Sequence, residues 1–160
     1  MMLDLVLRWL HILTAISLAG GVLFFPWVLR PALRELGDEP RRQLEGALQQ
    51  RWARVVMLTS GILLITGLVN AVRLIIGHSF PGGQYHTLVA IKLLLALAVF
   101  GLSALLAGRS AAAERMRAQG AAWWNVNVAL VIVLVCLAGV MKTSERVPKP
   151  TRPPAAAGMP

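Results

Sequence analysis

The residues of this 160-residue chain that could coordinate a metal or anchor a prosthetic group are few. His11, His78 and His86 offer imidazole, Met141 a thioether and Cys136 a thiol; Lys92 is the single charge between positions 74 and 108. Imidazole with sulfur suits copper, and thioether suits Cu(I) in particular. On that reading the metal ligands are His11, His86, His78 and Met141. Imidazole on facing helices also ligates haem iron, and cations then pair with the propionates. That alternative uses His11 and His86 with Arg73 and Lys92. All seven acids, Asp4, Glu35, Asp38, Glu39, Glu45, Glu114 and Glu145, stand outside the apolar stretches. This argues against a hard-cation site and against a carboxylate proton relay. There is no HExxH, no glycine-rich phosphate loop and no Ser/His/Asp set, so no catalytic residue is assigned and a binding role is favoured over an enzyme. One cysteine excludes an internal disulfide framework and a Cys-rich zinc or iron–sulfur site, and Cys136 reads as a small apolar filler.

The elements that must position these side chains follow from where charge is missing. The chain is 57% hydrophobic and 14% charged, against about 25% charged for a soluble domain. Residues 9–29, 55–72 and 118–141 carry no charge at all. A span needs ~20 mostly apolar residues to cross a hydrocarbon core of about 30 Å. Four spans result, near 5–28, 54–77, 86–108 and 122–141. The fold class is all-α, a polytopic membrane protein built as an antiparallel four-helix transmembrane bundle. One domain covers 1–145, and 146–160 is a Pro/Ala-rich tail predicted to be disordered. The apolar region of the first span is too long for a cleavable leader, so it reads as a retained helix.

The net charge of +9 sits in the links, which excludes nucleic acid as a partner and leaves the bilayer. Links one and three carry Arg30, Arg34, Arg41, Arg42, Arg51, Arg54, Arg109, Arg115 and Arg117; the other segments carry Arg8, Arg73, Lys142, Arg146, Lys149 and Arg152. The bias places both termini outside a bacterial inner membrane. Gly37 and Asp38 mark a helix stop and start, so the second helix begins near Glu39. The third helix is expected to overshoot the membrane through 111–117 until Gly120. Trp123 and Trp124 read as an interfacial belt.

Up-down-up-down connectivity puts the start of helix one, the end of two, the start of three and the end of four in one leaflet. All three histidines, Asn70, Arg73, Lys92, Cys136 and Met141 fall in that half. The other half holds Ser103, Asn125 and Asn127. Intramembrane ionisable residues are costly and are functional hypotheses by default, so His11, Asn70, Arg73 and Lys92 are expected around one polar pocket. The bland readings are snorkelling for Arg73 and Lys92, an interfacial place for His78 and His86, and hydrogen bonds of Thr59 and Thr66 to their own helix.

Two stretches carry a resemblance. LHILTAISLAGGVLFF from Leu10 and YHTLVAIKLLLALAVFGLSALLAGR from Tyr85 resemble the copper-resistance D-like membrane domain. Its Leu-His followed by Gly-Gly, and its Tyr seven residues before Lys-Leu, are matched by His11, Gly20, Gly21, Tyr85, Lys92 and Leu93. Leu18 stands where that family carries Trp, and the likeness covers roughly residues 5–110. The resemblance implies copper binding or passage in the outer half of the membrane, with His11 as the principal ligand. A second pattern is similar to the membrane protoporphyrinogen oxidase that carries haem b. It rests on His11, Pro26 or Pro31, Arg41, Arg42 and Lys92, and Ala90 stands where that family has a histidine. A third expectation, from small size, a short outward turn and the lack of a soluble domain, is a structural or assembly subunit of a larger membrane complex or homo-oligomer.

Overall fold

The computed structural model describes residues 2–79, 84–119, 121–143 and 147–148. Within them the chain is an all-α polytopic membrane protein. Helix α1 runs Met2–Leu33, α2 Asp38–Gly77, α3 Gln84–Ala107, the short α4 Ala111–Ala118 and α5 Ala122–Thr143. The four long helices are each apolar and long enough to cross a bilayer. They form a ring in the order α1, α2, α3, α5, with α1 and α5 closing it.

The core is a thin seam. Leu18 and Val22 of α1, Val56 and Leu63 of α2, Val99 of α3, and Val128 and Val131 of α5 meet along the bundle axis. Ile16, Leu58, Ile65, Leu94 and Val135 point outward and are largely exposed. In water that surface would be intolerable; in lipid it is the expected outer face of a bundle. The buried positions of α1, Thr14, Leu18 and Val22, recur every four residues, which is one helical face.

Two local features shape the ends. Phe25–Leu29 forms a π-helical turn in which Arg30 N–H bonds Phe25 O. Prolines bracket it: Pro26 has no N–H to give to residue 22, and Pro31 none to give to residue 27. With both ordinary bonds removed, the wider ring between residues five apart takes over. In a regular helix such residues point about 140° apart; the π turn swings Arg30 toward the face of Phe25. The third helix does not overshoot. It stops at Ala107, and Ser110 starts α4 afresh by accepting the N–H of Ala113 at 3.2 Å. Ser110 as an N-cap explains the break, because a capping hydroxyl favours a new helix over continuation.

The links carry the register. Gln49 Nε2 donates to Gly108 O at 2.9 Å, and Arg109 Nη2 to Gln50 Oε1 at 3.3 Å, tying α2 to the end of α3. At the other end the backbone of β1, His78–Ser79, pairs antiparallel with β2, Val147–Pro148. The predicted disorder of the tail otherwise falls outside the described residues.

Candidate functional site

His11 sits two turns inside α1, and its Nδ1 lies 2.8 Å from Thr66 Oγ1 on α2. Thr66 is 3% exposed and its hydroxyl lies 2.6 Å from Ile62 O one turn back. A hydroxyl has one proton. With that proton spent on the Ile62 carbonyl, Thr66 Oγ1 accepts, so His11 Nδ1 carries the hydrogen. In the neutral ring Nε2 is then left with its lone pair, and the relay sets both tautomer and orientation. Gly67 completes the seat: a Cβ there would stand 3.2 Å from His11 Cε1, so the bare backbone leaves the imidazole edge its space.

The α2–α3 register brings Lys92 to the same height. Seventeen residues from Gln49 along α2 reach Thr66, and sixteen back from Gly108 along α3 reach Lys92, about 25 Å in each case. Lys92 is half-buried at that height. Among the described residues it pairs with no carboxylate. Asn70, one turn beyond Thr66 on α2, is half-buried.

The other expected members are not gathered there. Arg73 pairs with Asp4 across α1 and α2, on the exposed surface of the bundle. The partner of Arg73 is thus a carboxylate of its own chain, at the first turn of α1. His86 is exposed on the first turn of α3, beside the buried Tyr85. Met141 is 7% exposed near the end of α5. The side chain of His78 lies outside the described residues. Among the described residues no three His, Cys, Asp or Glu side chains converge at a point. Cys136 is exposed on the outer face of α5 and fills no core space. Thr59 bonds the carbonyls of Val55 and Val56 on its own helix.

The opposite half contains what pattern reading understated. Asn127 Nδ2 donates to Ser103 Oγ at 2.9 Å, with both residues 1% exposed, and this polar pair clasps α5 to α3. Asn127 Oδ1 is left without a partner among the described residues. Trp124 does not belong to a belt. It is 5% exposed, its ring stacks on Phe25 at 5.3 Å, and Arg30 lies over it at 5.9 Å. Its position two turns before Val131, on the face of α5 that meets the core, was the available signal. Trp123 stays near the surface and bonds Gln119.

Comparison with protein families, with characterised proteins and with solved structures gave no match. The chain is an integral membrane protein on the strength of its own helices, and its seated histidine is the feature from which a function can be argued.

Proposed function

We propose that this membrane protein holds haem b through His11, with Lys92 facing a propionate. One observation carries the reading: the Ile62–Thr66–His11 relay commits Nδ1–H to the protein and leaves Nε2 as a ligand. A histidine that ligates a metal through one ring nitrogen ordinarily donates its other N–H to a neighbouring acceptor. Lys92, without a carboxylate partner among the described residues, adds a cation at the same height, and burying one costs free energy unless an anion answers it. A porphyrin propionate is such an anion. Bound haem would supply one-electron redox chemistry at that depth. The chain's own part would be to present His11 Nε2 to the iron and the Lys92 ammonium to a propionate. Ala90, which replaces the oxidase-like family's second histidine, keeps the proposal at cofactor binding and does not extend it to porphyrinogen oxidation.

Copper, implied by the other resemblance, would use the same Nε2. It would then draw on His86, His78 or Met141, and Lys92 would repel the cation. For that reason haem is put first.

The test is the visible spectrum and metal content of the full chain purified in mild detergent after expression with a haem precursor. The expected result is a Soret band that disappears in His11→Ala and weakens in Thr66→Val, both still folded by circular dichroism. Stoichiometric copper without a Soret band would transfer the site to the metal alone. Absence of both would leave a structural or assembly subunit and overturn cofactor binding.

A further inference from the structure

The end of the bundle remote from His11 contains a half-open cleft of about 310 Å³ between α1, α2, α4 and α5. Its charged wall is made of the guanidinium groups of Arg30, Arg41 and Arg117 against one carboxylate, Glu45, already bonded to Arg41 at 3.0 Å. Arg30 is brought there by the π turn, which places it with Phe25 on the face of Trp124. Arg117 is held from behind, because its Nη1 donates to the carbonyls of Leu106 and Gly108 at the end of α3. Its remaining N–H groups are a fixed fork rather than a waving side chain. Trp124 lines the same cleft, with its indole N–H buried and without a hydrogen-bond partner among the described residues. Phe25 and Leu48 add apolar lining. Guanidinium and indole only donate; the complement of such a wall is an anion rich in acceptor oxygens.

Depth identifies the source. Trp27, two residues past Phe25, is 60% exposed on the outside of α1, the position of an aromatic at the headgroup level. An aromatic at that height fits the headgroup level, which makes a lipid phosphate the nearest source of such an anion. π-helical turns bracketed by prolines are rare and concentrate at functional sites.

We infer that this cleft binds a phosphate ester group, presented by an anionic glycerophospholipid of the adjoining leaflet. Arginine forks match phosphate bidentately, and a volume near 300 Å³ is at the lower end for a small-molecule site. The inference is independent of His11 and its cofactor.

Native mass spectrometry of the full chain in neutral detergent, titrated with phosphatidylglycerol, phosphatidylcholine or soluble glycerol phosphate, tests it. The expected result is one retained phosphatidylglycerol, held in preference to phosphatidylcholine. Arg41→Gln should weaken it about tenfold, and Arg30→Gln by at least as much. Arg115→Gln, which removes an equal charge from an exposed position of α4 outside the cleft, should not. Arg41 lies near the surface, so its variant reports even if Arg30→Gln does not fold. Retention of glycerol phosphate as tightly as the lipid would confirm the phosphate site and make its source soluble. Equal losses in Arg115→Gln and Arg41→Gln, or no discrete one-to-one adduct, would overturn it.

Discussion

Replacing Gly21 with alanine should destabilise the bundle, and the size of the effect can be worked from its surroundings. A methyl group there would overlap Cη2 and Cζ3 of Trp52 and lie 3.1 Å from Cζ2. Carbon atoms pack at about 3.5–4.0 Å, so the indole would have to withdraw by about an ångström or more. Trp52 is not free to do so. Its ring rests on Phe25 at 5.2 Å, and Phe25 stacks on Trp124. Overpacking a core costs about 1–3 kcal/mol, and loosening one aromatic pair adds about 0.5–1.5 kcal/mol. The expected loss is therefore about 3 kcal/mol. Reversible unfolding in mixed micelles, titrated with a denaturing detergent, gives the measurement. The control is the same substitution in a Trp52→Leu background, where no indole remains to strike. There Gly21→Ala should cost less than about 1 kcal/mol, a coupling of the size expected for residues in contact. An equal cost in both backgrounds would refute the packing argument, and a stable Gly21→Ala single variant would refute the close approach itself. Gly20→Ala should be tolerated, because nothing lies within 4 Å of the position its Cβ would take.

Other consequences can be checked in the same preparation. Thr66→Val keeps the shape but removes the acceptor for His11 Nδ1–H; it should cost about 0.6–1.7 kcal/mol of stability, the range for hydrogen bonds between transmembrane helices. Gly67→Ala should displace the imidazole by a few tenths of an ångström, read as a shifted His11 ring resonance with little change in unfolding midpoint. Asn127→Leu should be nearly neutral, since it removes an unmatched carbonyl along with one hydrogen bond. Asn127→Asp puts a carboxylate at a 1% exposed site within the span and should cost about 2.5–3.5 kcal/mol. A destabilisation of the leucine variant as large as that of the aspartate would mean that the pair with Ser103 is far stronger than a single neutral hydrogen bond.

Much of the architecture was legible because lipid imposes a simple rule. Uncharged blocks of sufficient length must be helices, and the links between them carry the charge. Connectivity alone placed His11, Asn70, Arg73 and Lys92 in one half of the bundle; the contact of His11 with Thr66 came from the structure. Three things were not legible for identifiable reasons. Arg73 could be placed in the right half of the membrane, but its partnership with Asp4 depends on the rotation of two helices, which an almost uniformly apolar sequence leaves unspecified. The break after Ala107 turned on two residues, Gly108 as a stop and Ser110 as a new cap, between runs of good helix formers. Trp124 looked like a belt residue because it adjoins Trp123; neighbours in a helix face about 100° apart, and only the partner surface tells which one turns inward. Cys136 was misread for the same reason: it is apolar enough for either face, and the bundle turned it outward.

Helix α2 is forty residues without a break, about 60 Å of rod in a hydrocarbon layer half as thick. Its first half carries Arg41, Glu45 and Gln49, and Trp52 against Gly21; its second half carries Thr66 against His11. A stiff rod transmits rotation undiminished. Turning it by one residue's angle to suit the arginine cleft would swing the threonine hydroxyl away from the imidazole by the same angle, about 37 Å along the helix from Arg41. The two ends of this protein consequently share one mechanical setting, and the aqueous lever that fixes it is within reach of whatever binds there.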